Sequence, residues 1–199
     1  MRTKHIGVIV AVAGFGLAAA ACSSSSAPAS SSPAAKASSS VSSASTTATV
    51  GSQCSTVATN LKSKKDELAG KAASSDPNLQ GLVAAAQAAG VTATLDSKGP
   101  ITVFAPDNQA FQAVETQLKS ASKTDVKQLL EYHVVVGKRV TPAELASGTP
   151  LTTKLGPPLH PGKSGSTYTV NGADVVCGNI QTKNATVYII NKVLTPTTS

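Results

Sequence analysis

From Ser23 to Ser52 the chain is almost wholly serine, alanine, threonine and proline, with Lys36 as its one charge. Such a stretch holds too little apolar bulk to offset the entropy of ordering its backbone. It reads as a flexible tether, spanning about 30 Å root-mean-square as a coil and open by composition to O-glycosylation. Of the 199 residues, those beyond the tether can build one domain of ordinary size but not two.

Ahead of the tether, Met1 to His5 supplies positive charge and Ile6 to Ala21 is a run of apolar and small residues. As a helix, at ~1.5 Å per residue, that run reaches about 24 Å, short of the ~30 Å hydrocarbon core of a bilayer. No stop-transfer charge follows, so residues 1–21 read as an export signal. The end of the run, Ala19-Ala20-Ala21-Cys22, resembles a bacterial lipoprotein signal, in which a cysteine behind three small or apolar residues takes diacylglycerol on its sulfur. That family prefers leucine three places before the cysteine. Here Ala19 stands there, with Leu17 two residues upstream.

The resemblance implies lipid attachment at Cys22 and hence the membrane as a partner, on its extracytoplasmic face. Simple cleavage and release to the outside is the alternative. The chain has three cysteines. With Cys22 lipidated, Cys54 and Cys177 remain as one pair in a compartment that permits disulfides.

Structure is expected from about residue 53 to 199. Ser55 to Ala73 spaces Val57, Leu61 and Leu68 as a weak helix. A stronger one follows, with Asp76 as N-cap, Pro77 at the first helical position, Leu79, Leu82, Val83 and Ala86 on one face, and Gly90 as the stop. Ile101 to Phe104 reads as a short buried strand ended by Ala105-Pro106, and Asp107 as the cap of a helix carrying Phe111, Val114 and Leu118. Thr124 is expected to cap the next helix, through Val126, Leu129 and Leu130 toward Tyr132, and Thr141 to Glu144 form a capping box.

Beyond Leu151 the period becomes alternating. Thr167 to Val170, Ala173 to Val176 and Thr186 to Ile190 read as strands, with Asn171-Gly172 as a hairpin turn. Helices first and strands after make an α+β domain.

The residues offer little chemistry. Lys and Arg outnumber Asp and Glu by 17 to 10, but the excess is scattered. Lys62, Lys64 and Lys65 beside Asp66 and Glu67 read as a solvated helix face. With few Phe and Tyr and no Trp, the chain lacks the stacking platforms of single-strand binders, so no nucleic-acid partner is expected. Gly156 to Ser164 ends in Gly-Lys-Ser but has one residue too many between its glycines for a phosphate loop. Its prolines 157, 158 and 161 also remove backbone donors, and it reads as an exposed loop with His160 facing solvent. His5, His133 and His160 have no metal-ligand spacing, and no nucleophile motif is present. No catalytic residue, metal or cofactor is expected, and Asn184-Ala185-Thr186 matches a glycosylation acceptor by chance.

Three stretches carry a resemblance: Ile101 to Phe111 (ITVFAPDNQAF), Leu129 to Lys138 (LLEYHVVVGK) and Asn184 to Pro196 (NATVYIINKVLTP). In order and spacing they resemble the two boxes and central Tyr-His segment of the fasciclin domain, over roughly residues 55 to 196. Asn171 to Leu194 is similar to the secreted or lipid-anchored fasciclin antigens of mycobacteria and related actinomycetes, including the placement of Cys177 and an early partner cysteine. The resemblance implies a β-wedge with an α-helical layer, and adhesion or recognition without enzymatic activity. Partners would be host or matrix proteins or cell-wall components, engaged by a monomer.

In animal members the Tyr-His segment, here Tyr132-His133, is implicated in integrin contact, which makes this pair a candidate binding surface. The alternative is that His133 satisfies a buried hydrogen bond. Tyr188 stands where the family often has histidine and Asn191 where it often has aspartate, and no Arg-Gly-Asp motif is present. The rival function is a cell-envelope carrier holding a small apolar molecule, such as a lipid, between the helical layer and the β-wedge.

Overall fold

The structure is a computed structural model that describes residues 48–57 and 59–196. The expected export signal, Cys22 and most of the tether lie outside the described residues.

The chain enters through short helical pieces, α1 (Cys54–Val57), α2 (Thr59–Lys62) and α3 (Ala69–Ser74). The single weak helix expected from Ser55 to Ala73 is thus broken. Lys64 N–H bonds to the Leu61 carbonyl and Glu67 N–H to that of Lys64, turning the chain before Leu68 restarts it in an extended conformation. The Asp76 carboxylate then accepts from Asn78 N–H, and a 3-10 turn, Pro77–Leu79, leads into α4 (Gln80–Ala88). Gly90 ends that helix with φ +70°, a left-handed conformation that glycine adopts without steric cost.

Next come α5 (Thr92–Leu95), β1 (Ile101–Pro106), α6 (Asn108–Ser120) and α7 (Lys123–Tyr132). The β1 strand runs two residues past Phe104, through Ala105 and Pro106, because both still pair with the neighbouring strand. Asp107 caps α6 as expected, accepting from Ala110 N–H. The cap of α7 is Ser122 rather than Thr124. Its hydroxyl accepts from Asp125 N–H while the Asp125 carboxylate accepts from Ser122 N–H, a reciprocal pair that fixes the helix start two residues earlier.

The remaining elements are β2 (Val134–Val136), α8 (Pro142–Ala146), β3 (Leu151–Thr152), β4 (Pro158–Leu159), β5 (Pro161–Ser164), β6 (Thr167–Val170), β7 (Ala173–Gln181) and β8 (Ala185–Ile190). The capping box of Thr141 and Glu144 opens α8. Gly156 to Ser164 is not simply an exposed loop, for β4 and β5 lie within it and bury Leu159 and Pro161. Proline is tolerated there because β5 lies at a sheet edge.

Six strands form one sheet in the order β2-β1-β8-β7-β6-β5, with β3 and β4 paired separately. One neighbouring pair, β1 with β8, is parallel, and the other neighbours are antiparallel. Both β1 and β8 are buried on both faces, as a strand covered from two sides must be. Their alternation divides them between two cores. Val103, Val187 and Ile189 pack with Leu61, Leu82 and Leu130 under the helices. Phe104, Tyr188 and Ile190 pack with Leu145, Leu159 and Val170 on the opposite side. The alternation of Val187, Ile189, Val193 and Leu194 predicts a single core strand; Val187 and Ile189 sit in it, but Val193 and Leu194 lie beyond its end.

Where β7 passes Tyr188, its register shifts at a bulge between Val175 and Ile180, which bends the strand. Gly178 makes this possible, because a Cβ there would collide with the Tyr188 ring. The same strand receives the incoming chain: Val50 exchanges two backbone hydrogen bonds with Gly178, Gln53 N–H bonds to the Val176 carbonyl, and Asn179 reaches the Ala48 carbonyl. Residues 48–52, read as the end of the tether, thus belong to the folded part. Cys54 and Cys177 are joined as a disulfide across this contact.

The β7–β8 turn is fixed from two sides. The Arg139 guanidinium donates to the carbonyls of Thr182, Lys183 and Ala185 and to the Gln181 side chain. The Asn184 amide donates to the carbonyls of Leu95 and Ser97 and accepts from Ala69 N–H. Asn184 is buried and fully engaged, so its glycosylation-like pattern serves the turn.

Candidate functional site

The end of α7 sets Tyr132 and His133 against the second core. His133 is the C-cap of the helix, and its carbonyl accepts from Phe104 N–H on β1. Its Nδ1 lies 2.8 Å from the Leu129 carbonyl and its Nε2 accepts from Leu194 N–H at 2.9 Å. A carbonyl only accepts, so the hydrogen is on Nδ1 and the imidazole is neutral and satisfied at both nitrogens. Burial pushes its pKa down to about 4, with the Leu129 carbonyl opposing part of that shift. His133 thus ties the helix end to the segment after β8.

Tyr132 makes a second junction. Its hydroxyl donates to the Pro158 carbonyl at 3.2 Å and accepts from the Asn171 amide at 2.8 Å. Asn171 occupies the expected hairpin turn, with φ 47° followed by 75° at Gly172. The Asn171 side-chain oxygen also accepts from His160 N–H, and its own N–H donates to the His160 carbonyl. One asparagine therefore holds the hairpin tip, the segment between β4 and β5, and the end of α7 in fixed relation.

Tyr132 and His133 are each about 1% exposed. This corrects the expectation that the pair forms a binding surface, because a side chain sealed by core packing and internal hydrogen bonds meets no partner. The geometry matches the alternative, a buried hydrogen bond for His133. What faces solvent is an open groove of ≈ 860 Å³ beside Tyr132. Its walls include Leu155, Pro157, Pro158 and Pro196, and its rim carries Gln128, His160 and Lys192. Lys192 Nζ donates to the Gly172 carbonyl at 3.1 Å, which holds the ammonium near the hairpin tip.

The hairpin signal pointed to Asn171 as a turn residue, but its side-chain partners are distant in sequence and no local pattern marks them. His160 is exposed as expected, and the structure adds that it stands on a groove rim. Between the helical layer and the sheet, the space lined by Leu82, Ala86, Leu95, Val103, Leu130 and His133 is only ≈ 10 Å³. That volume suits about one water molecule, so a lipid carried there would have to part the layers. Among the described residues no three His, Cys, Asp or Glu side chains are grouped to hold a metal, and no helix is long and apolar enough to cross a membrane.

Comparison with known proteins places this geometry in context. The family model described as "Fasciclin domain" matches residues 77–196, leaving α1 to α3 and Cys54 ahead of the matched range. Immunogenic protein MPB70 of Mycobacterium bovis is 39% identical over 133 residues, covering 63% of this chain and 67% of that protein. Protein sll1483 of Synechocystis is 36% identical over 120 residues, covering 58% and 66%. Cell surface glycolipoprotein MPB83 of Mycobacterium bovis is 41% identical over 101 residues, covering 49% and 44%. The match thus spans about two thirds of the first two relatives and less than half of the third. Among solved structures, a FAS1 domain pair from the insect cell adhesion molecule Fasciclin I aligns with TM-score 0.57 at 17% identity, over 64% of this chain and 50% of that one. At that identity the likeness speaks for the fold.

Proposed function

The chain belongs to the fasciclin family, whose members are adhesion and antigen proteins rather than enzymes, and on that premise we propose that it is a lipid-anchored recognition protein of the cell surface. Residues 1–21 are the export signal, Cys22 carries the lipid, and the Ser/Ala/Thr/Pro tether holds the domain off the extracytoplasmic face of the membrane. The domain binds matrix, host or cell-wall components as a monomer.

The observation that carries this reading is the 41% identity to a mycobacterial cell-surface glycolipoprotein, in a chain that also presents the Ala19 to Cys22 pattern. A Ser/Ala/Thr/Pro-rich segment between lipid and domain gives the domain reach from the membrane surface.

Metabolic labelling with a palmitate analogue tests the anchor. The chain is expected to take up label and to fractionate with membranes, and Cys22→Ala to lose the label and leave the membrane fraction. An unlabelled chain whose fractionation ignores Cys22→Ala would contradict the anchor.

A further inference from the structure

The lining of the groove beside Tyr132 carries one formal charge, the Lys192 ammonium, and includes the His160 imidazole but no carboxylate. Of the acids on residues next to the lining, Glu131 is paired with Lys154 at 3.7 Å, and Asp174, which does not line the groove, accepts from the Asn191 amide at 2.9 Å. An occupant that brings negative charge is favoured over a neutral or cationic one.

The shape narrows the class further. A volume of ≈ 860 Å³ falls within the ~300–1,000 Å³ typical of small-molecule sites. Protein partners are usually anchored by an aromatic or arginine side chain in a dry, fully enclosed pocket. Here the lining is open and mixed, with the proline rings of 157, 158 and 196 set among the amide of Gln128 and the polar groups of His160 and Lys192. Such a surface suits a polar ligand that also presents apolar ring faces. The floor is already ordered by the Tyr132–Pro158–Asn171–His160 hydrogen bonds, so little ordering entropy is lost on binding.

We propose that this groove binds a carboxylate-bearing oligosaccharide, with Lys192 and His160 meeting its acidic group and the proline rings its C–H faces. The assignment rests on the surface-recognition reading and names the ligand class of that reading.

Calorimetric titration of the full mature chain tests it with three probes: a hyaluronan tetrasaccharide, which contains glucuronate, neutral chitotetraose, and a tetraglutamate peptide. The expected result is saturable binding of the hyaluronan tetrasaccharide, weakening with added salt, with both other probes clearly weaker. Lys192→Gln with His160→Gln should reduce that binding about tenfold, the size of one lost charge-assisted contact. Both side chains are exposed, and an unchanged melting temperature verifies the fold of the double variant. The assignment is overturned by no saturable binding of the acidic tetrasaccharide, by equal binding of either other probe, or by full binding in the double variant. Binding of the same two proteins to cell-wall and matrix fractions is measured alongside. If it persists while the titration fails, only the groove assignment falls; if the unaltered chain binds no fraction, the recognition reading falls with it.

Discussion

Reduction of the Cys54–Cys177 bond is expected to cost the domain roughly 5 kcal/mol, the chain-entropy value for a loop of this length. The bond closes a sequence separation of 123 residues, so it restricts nearly the whole domain in the unfolded state. Since small domains are stable by about 5–15 kcal/mol in total, the reduced form should be marginal. Local consequences follow from what the bond holds. It ties α1 to β7 beside the backbone pairing of Val50 with Gly178, whereas α3 keeps separate ties through Ala69 to Asn184 and Gly70 to Asp96. On reduction, amide exchange should therefore rise first in residues 48–57. Denaturant melts and hydrogen exchange, with and without reductant and for Cys54→Ala/Cys177→Ala, check this. An unchanged midpoint would remove the bond from the account of stability.

The second large effect concerns acid. His133 is buried as a neutral ring, with its pKa pushed down from the ordinary 6.5 to about 4 by desolvation. Between those two values the unfolded chain binds a proton that the folded chain refuses. Stability from this group is thus complete above the unfolded value and is lost as pH falls toward the folded one. The depression corresponds to about 3 kcal/mol at the acid end. Burial raises the Glu144 carboxyl, but hydrogen bonds from Lys138 and Thr141 outweigh it and hold the group low, as Lys119 does for Glu115. Both lose their contribution as pH falls below the ordinary glutamate value of 4.5, within the acid end of the same window. Denaturant melts across that window should fall steeply for the native chain and much less for His133→Asn, which removes the titrating ring. Equal slopes for the two proteins would contradict a buried neutral His133.

Local capping chemistry was legible in the sequence because it depends on neighbours in the chain. Asp76 before Pro77, Asp107 before α6, Thr141 with Glu144, and Asn171 with Gly172 all act within a turn of themselves. The Ser122–Asp125 box is equally local, but the threonine within the same stretch offered a competing cap. Strands β4 and β5 were hidden by their prolines, which argue against a ladder unless the strand lies at an edge, and edge position is a property of the assembled sheet. The double burial of β8 was equally out of reach, since the period of two in Ala185 to Ile190 does not reveal that both faces will be covered. The groove depends on Tyr132, Pro158 and Asn171 meeting across separations of 26 and 39 residues. No spacing rule joins a helix end to a hairpin tip at that range. The Tyr-His pair, a candidate surface by family resemblance with burial as its alternative, is by packing the buried support beneath the groove.

Recognition at the cell surface is the central claim, and its most direct test is binding of the monomeric mature chain to matrix proteins, host cells and the producer's own cell-wall fraction. The account predicts saturable binding to at least one of these, reduced when the exposed groove residues Lys192 and His160 are replaced in a protein that still folds. Absence of saturable binding across the whole panel would contradict it.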